Sequence, residues 1–457
     1  MTGALIGLAV TVIVVWLIIK KYQPHTVLLL AGLVLFTATA VLMPQTSILF
    51  GHAKSTGWVG FDIFAYVQGT LSESAAGLGM IIMAAGGFAK YMDHIGATDA
   101  MVAVCSRPLR LLRAPYVVLA VGCAVGQIFE IFIPSAAGLA MLLLVTFFPT
   151  LVRLGVSAQA AAAMIGTTAL MDLGPAAATT NLAAKVADMD PTLYFVHYQI
   201  PLAGPVMIVV SVLTYFSARY FDRGMDRRVA ATADGEAGHD RPGPGVPALY
   251  VLLPVIPLAL MLIFSPLLVR SIRLDMVSAM VIGAVLALAC EMIRTRDAKA
   301  VLKGFMAFFE GMGQMFGQVV SLVICTQVFA AGLQTVGAVD FLIHSAQGVG
   351  FGAAAMTVVM CTIVIVTAVV TGSGVAAFFS FGSLAGKIGG GFGVSAASIL
   401  VPMQFSAALA RAMSPVSGVV IVVSGAGQCS PMEIVRRTAI PVSGGLLVVL
   451  LFSALFV

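Results

Sequence analysis

Apolar runs long enough to cross a bilayer recur from one end of this 457-residue chain to the other. A hydrocarbon core takes about 20 apolar residues per helix. Runs of that kind fall near 2–20, 25–44, 68–92, 157–187, 193–219, 247–269, 275–293, 304–335, 395–427 and 438–457. In lipid every backbone polar group must be satisfied inside its own segment, so such spans are helices. Charge is correspondingly scarce. Asp, Glu, Lys and Arg make up 9% of the residues, where a soluble protein carries roughly 25%. A water-facing surface cannot be built from so few charges. That excludes a soluble enzyme, a nucleic-acid binder and a disordered chain, and it makes the lipid bilayer the first partner. The net charge of +5 follows from positive loops on one membrane side.

Two further apolar stretches do not fit as simple spans. Residues 115–153 break at Pro134-Ser135-Ala136-Ala137-Gly138, and residues 352–387 break at Thr371-Gly372-Ser373-Gly374. Paired short helices joined by small polar residues read as re-entrant hairpins, whose tips must be buried in protein or line a cavity. The N-terminus has no basic region ahead of its apolar run, and Lys20-Lys21 follow it. It is expected to be a first span with its start outside, not a cleaved leader. The six Cys form no C-x-x-C pair and argue against a disulfide framework or a zinc site. No G-x-x-x-x-G-K-[ST] loop is present, so the chain is not expected to be an ATPase, or an enzyme of any kind.

The polar stretch 222–246 divides the chain nearly in half and reads as a cytoplasmic linker. The halves are related. FAKYMDHIGATDAM (88–101) answers FAAGLQTVGAVDFL (329–342), GVSA occurs at 155–158 and again at 393–396, and Pro175, Pro191 and Pro201 recur as Pro415, Pro431 and Pro441. A repeat with five spans and one hairpin has an odd number of crossings, so the second copy must be inverted. Charge agrees. The arm after the first copy carries Arg107, Arg110 and Arg113, and the matching HSAQGVGFG carries no Lys or Arg. Most Lys and Arg then fall on the cytoplasmic side. The expected fold is an all-α polytopic membrane protein of two inverted-topology repeats, each five transmembrane helices plus one re-entrant hairpin. Both termini lie outside.

Inverted repeats with broken helices mark secondary transporters that bind substrate near the midplane. Four breaks should converge: the two hairpin tips, the interruption at Gly174-Pro175 and the interruption at Ser414-Pro415. Proline removes a backbone donor and clashes with the preceding turn, so each of the last two helices unwinds there. A helix N-terminus exposed in this way suits an anion. The candidate substrate-binding residues are therefore Ser135, Ala136, Gly174, Thr179, Thr180, Asn181, Gly372, Ser373, Gly374, Ser414 and Ser417. Arg411 joins them, because an Arg within the membrane is functional or paired and its planar fork suits a carboxylate. A structural pair with Asp172 is the competing reading of Arg411. Asp172 and Glu130 are the candidates for ion coupling. No metal site and no cofactor are expected beyond a coupling ion, Na+ or H+.

The run GGFAKYMDHIGATDAM, the hairpin IPSAAG, the LGP break and the C-terminal ARAMSPVSGVVIVVSG with SPMEIVRRTAIP together resemble the DcuC family of anaerobic four-carbon dicarboxylate carriers. The resemblance covers most of 77–221 and 304–445. It implies exchange, uptake or efflux of succinate, fumarate or malate across the bacterial inner membrane. It also implies a homodimer working as an elevator. By that analogy repeat 1 (1–221) divides into scaffold 1–113 and transport domain 114–221, and repeat 2 (247–457) into scaffold 247–350 and transport domain 351–457. Sodium-coupled dicarboxylate carriers related to this family carry Ser-Asn-Thr at each hairpin tip, and here the Asn is missing from both tips. The coupling ion is left open between Na+ and H+. Superfamily relatives carry other small organic anions, such as monocarboxylates or gluconate, or exchange Na+ for H+, and these are the alternative functions.

Overall fold

The computed structural model describes residues 2–20, 22–42, 55–106, 114–168, 170–223, 247–264, 274–348 and 352–456. Arg107, Arg110, Arg113 and residues 224–246 of the linker lie outside the described residues. The first half contains α1 (Thr2–Ile19), α2 (Pro24–Leu42), α3 (Val59–His94), α4 (Ala97–Ser106), α5 (Pro115–Phe129), α6 (Ala136–Thr146), α7 (Phe148–Arg153), α8 (Ala158–Gly166), α9 (Ala178–Val186) and α10 (Pro191–Asp222). The second half contains α11 (Leu249–Ile263), α12 (Met276–Thr295), α13 (Ala298–Thr335), α14 (Ala338–Gly348), α15 (Ala353–Thr371), α16 (Gly374–Gly382), α17 (Ala385–Phe392), α18 (Ala396–Ala410), α19 (Gly418–Ala426) and α20 (Pro431–Phe456). Among the described residues eight helices are long and apolar enough to cross a membrane, or nine if the bent pair α16 and α17 is one span. The chain is a multi-pass helical membrane protein.

The same chemistry starts corresponding helices in the two halves. Ser135 and Ser373 cap α6 and α16 with nearly identical backbone angles (φ −132, ψ 105 and φ −130, ψ 107). Ser157 and Ser395 cap α8 and α18, and α10 and α20 both open on a proline. Each cap side chain satisfies one of the donors a helix start leaves unpaired. Proline fits at a first helical position because its missing N–H would be unpaired there anyway.

The longest helices meet at small residues. α13 lies against α3 and α2, α12 against α3, α10 against α20 and α5, and α15 against α18. A side chain at Gly87 or Gly311 would strike the facing backbone of α13 or α3, and one at Gly32 would strike the backbone at Val328 and Phe329. Lipid tails are as apolar as leucine, so close backbone approach through glycine supplies packing that hydrophobicity cannot. Large apolar side chains such as Val12, Trp16, Ile208, Phe216, Ile293 and Leu447 remain exposed, as lipid-facing residues should. Each half also sends short helices across to the other: α6 packs on α19, and α9 packs on α16.

The sequence boundaries shift in instructive ways. The run 157–187 is two short helices separated by residues 167–177, a wider gap than Gly174-Pro175 alone requires. Thr167 and Thr168 turn their hydroxyls back onto the carbonyls of Met164 and Ile165, which ends α8 early. In the second half the helix runs on through a short 3-10 turn, Arg411–Met413, and leaves helical geometry at Ser414. The first tip opens at Glu130 rather than at Pro134, and α6 begins at Ala136.

Candidate functional site

The two helix interruptions and the first tip come together around Arg411. Its guanidinium lies 3.3 Å from Asp172 and 3.5 Å from Glu130. Glu130 is 3% exposed and accepts hydrogen bonds from the backbone N–H groups of Met171 and Asp172. Three charges therefore sit together away from water: one cation and two carboxylates. Both Arg411 contacts are longer than the roughly 2.7–2.9 Å of a tight charge-assisted pair. Asp172 and Glu130 thus both face the guanidinium.

Asp172, which faces Arg411, has its backbone in the left-handed region, at φ +47. Asp is among the few residues that tolerate that region. Its carbonyl is fixed by two donors, the side-chain amide of Gln404 at 3.2 Å and the hydroxyl of Thr180 at 3.3 Å. Thr179 donates to the Asp172 carboxylate at 3.5 Å. Gln404 also donates to the hydroxyls of Thr179 and Thr180, and its carbonyl accepts from the Tyr194 hydroxyl. Gln199 closes the network from the other side: its amide donates to Thr180, and its carbonyl accepts from the N–H of Gly174. Asn181 points its amide at the carbonyls of Pro175 and Ala177, the second of which also accepts from the Asn181 backbone N–H.

The tips pack against the interruptions. Gly174 has φ +98, and a side chain there would meet Ile131 of the first tip. Gly372 has φ +75, and a side chain there would meet the backbone of Val416 and Ser417. Gly374 presses on the backbone of Ala407 and Ala408. Ser135 and Ser373 use their hydroxyls to cap α6 and α16, accepting from Gly138 and Ala376. Ala136 is the first residue of α6, and Ser417 is the N-cap of α19 with no side-chain cap bond. The Ser414 hydroxyl is fully buried and has no hydrogen-bond partner among the described residues. Arg411, Asp172, Glu130, Thr179 and Thr180 are thus one cluster. Asn181, Gly174, Ser414 and the Gly372–Ser417 contact flank it. Gln404, Gln199 and Tyr194 were not singled out by sequence. A glutamine in an apolar helix is the one signal that could have found the first two.

Solved structures share this fold. The YdaH transporter of Alcanivorax borkumensis superposes with a TM-score of 0.65 at 15% identity, covering 95% of this chain and 98% of that one. MtrF of Neisseria gonorrhoeae gives 0.62 at 12% identity, covering 95% of each. At these identities the likeness is one of fold. Sequence goes further. The family model described as DcuC, C4-dicarboxylate anaerobic carrier, matches residues 2–457. The chain belongs to the DcuC family. It is 34% identical over 458 residues to a Vibrio cholerae protein named "Probable anaerobic C4-dicarboxylate transporter DcuC", covering 100% of this chain and 98% of that one. It is 33% identical to the anaerobic C4-dicarboxylate transporter DcuC of Escherichia coli K12, covering 99% and 96%.

Proposed function

We propose that the chain is a secondary active carrier of C4-dicarboxylates such as succinate, fumarate and malate in the bacterial inner membrane. The observation that carries this reading is the match to the DcuC family over residues 2–457. The site suits such a substrate. α6 and α16 begin at the tips and α9 and α19 at the interruptions, and helix starts present unpaired N–H groups and partial positive charge to an anion. Arg411 supplies the full positive charge for one carboxylate, and the buried Ser414 hydroxyl is a ready partner for it. Asp172 and Glu130 are the groups for a coupling ion.

The mechanism we infer is an elevator built from two inverted repeats, in a homodimer with both termini outside. The recurring order of helices and caps in the two halves supports the repeat. The helix pairings support the division of labour. α3, α12 and α13 pair within the scaffold segments 1–113 and 247–350, whereas α5, α10, α15, α18 and α20 pair within the transport segments 114–221 and 351–457. Uptake of radiolabelled succinate into proteoliposomes tests the function, with pH and Na+ gradients imposed separately. Saturable uptake is the expected result. No uptake of succinate, fumarate or malate, with uptake of lactate or gluconate, would move the substrate to another organic anion.

A further inference from the structure

The turn between α12 and α13 gathers positive charge that its acidic neighbours do not balance. Arg296, Lys299 and Lys303 are all exposed there. Elsewhere Lys90, Lys185 and Lys387 each meet a carboxylate, that of Glu310, Glu73 and Asp340 in turn. At this turn the acids are already used. Asp297 accepts from the backbone N–H groups of Lys299 and Ala300 and so caps α13. Glu291 is buried and pairs with Arg294 at 2.9 Å, and the Arg294 guanidinium rests on the Tyr250 ring. Arg296, Lys299 and Lys303 make no ion pair among the described residues. Lys299 and Lys303 stand four residues apart on one helix, a spacing at which like charges repel. An anion placed among the three would relieve that repulsion.

Past these charges the same helix face turns apolar and stays open. Lys299, Leu302, Lys303, Met306 and Phe309 follow one another at the three- and four-residue steps that share a face. Leu302, Met306 and Phe309 are 55%, 52% and 53% exposed, and Ile293 on the adjoining end of α12 is 77% exposed. α13 is long and apolar enough to cross a membrane, so this face passes from the water boundary into the hydrocarbon. From Lys299 to Phe309 it runs about 15 Å, half the thickness of a bilayer core. Cations above and open apolar side chains below match a lipid with an anionic headgroup over its acyl chains. We propose that an anionic phospholipid binds at this corner, its phosphate among Arg296, Lys299 and Lys303 and an acyl chain along Leu302, Met306 and Phe309. A second copy of the chain is the poorer occupant, because a two-fold contact turns the same patch on itself and sets cation against cation. The inference stands without the substrate, the coupling ion or the elevator.

The test is native mass spectrometry of the purified full chain, delipidated in detergent and titrated with phosphatidylglycerol or with phosphatidylcholine of the same acyl chains. The wild type is expected to bind phosphatidylglycerol at least about tenfold more tightly. Lys299→Gln and Lys303→Gln should each weaken that binding about fivefold. Both together with Arg296→Gln should bring it close to the binding of phosphatidylcholine, which no variant changes. Arg153→Gln, Arg223→Gln and Arg436→Gln, which remove three exposed cations elsewhere, should leave phosphatidylglycerol binding as in the wild type. Equal binding of the two lipids by the wild type overturns the inference, and that comparison needs no variant. So does unchanged phosphatidylglycerol binding by the folded triple variant of the corner, or an equal loss in the control. Loss of a dimer by the corner variant with its lipid binding intact would assign the surface to a second copy and overturn the inference too.

Discussion

At the scale of single residues, the site depends on side chains that hold the charged ones in place. Gln404 ties α18 to the Asp172 carbonyl, Thr179, Thr180 and Tyr194. Replacing it by Leu takes the printed partner from the buried Tyr194 hydroxyl, at about 1–3 kcal/mol if it finds no other, and removes one bond each from the Asp172 carbonyl, Thr179 and Thr180. Gln404→Leu is expected to lower the melting temperature in detergent and to cut succinate uptake. Ser414 differs, because its hydroxyl has no partner to lose. Ser414→Ala is expected to leave the melting temperature unchanged and to weaken succinate binding about tenfold, the worth of one hydrogen bond of about 1.4 kcal/mol. Outside the cluster, Arg437 and Asp222 form a 2.9 Å pair, both side chains buried, with Ser157 and Tyr116 also bonded to Asp222. Asp222→Ala leaves that guanidinium buried with Glu433, at 3.7 Å, as its remaining carboxylate among the described residues and the Phe221 ring beside it. A thermal-melting shift corresponding to about 3 kcal/mol or more is expected, with succinate affinity in the remaining folded protein unchanged.

At the scale of elements, much was legible in the sequence. The proline-glycine interruptions, the serine caps and the recurring pattern of the halves fall where the apolar runs and small polar residues put them. Arg411 and Asp172 stood out as charges in apolar runs at nearly corresponding places in the repeat. Their meeting with Glu130 did not, because it depends on the first tip opening at Glu130 and folding over residues 171–172. Gln404 and Gln199 were silent for a related reason: what matters is which backbone groups an interruption leaves unpaired, and sequence does not show which side chain reaches them. The second tip presses on the second interruption. Gly372→Ala would force a side chain into the left-handed region and into the Ser417 backbone. It is expected to abolish most uptake, whereas Gly390→Ala, which meets nothing, should leave uptake intact and stabilise α17 by up to about 1 kcal/mol. Equal effects in an uptake assay would contradict this account of the tip.

At the scale of the whole molecule, two ion pairs among the described residues cross from the proposed scaffold to the proposed transport domain. Glu73 of α3 meets Lys185 of α9 at 3.6 Å, and Asp340 of α14 meets Lys387 of α17 at 2.9 Å. Both are partly exposed, and such pairs contribute little stability, about 0–1 kcal/mol. They break at small cost, which a moving domain requires. They also serve as reporters. Cysteines at 73 and 185, in a background without the native cysteines, should join through a short thiol cross-linker and stop transport until the link is cleaved. Full transport with the link intact would argue against relative motion of the two domains.

The central claim is that Arg411 receives a carboxylate of a C4-dicarboxylate. Its most direct test is radiolabelled succinate uptake by proteoliposomes holding wild type or Arg411→Ala, with folding of both checked by size exclusion and thermal melting. The account predicts saturable uptake by the wild type and none above background by a folded Arg411→Ala protein. Wild-type uptake by that variant would contradict it.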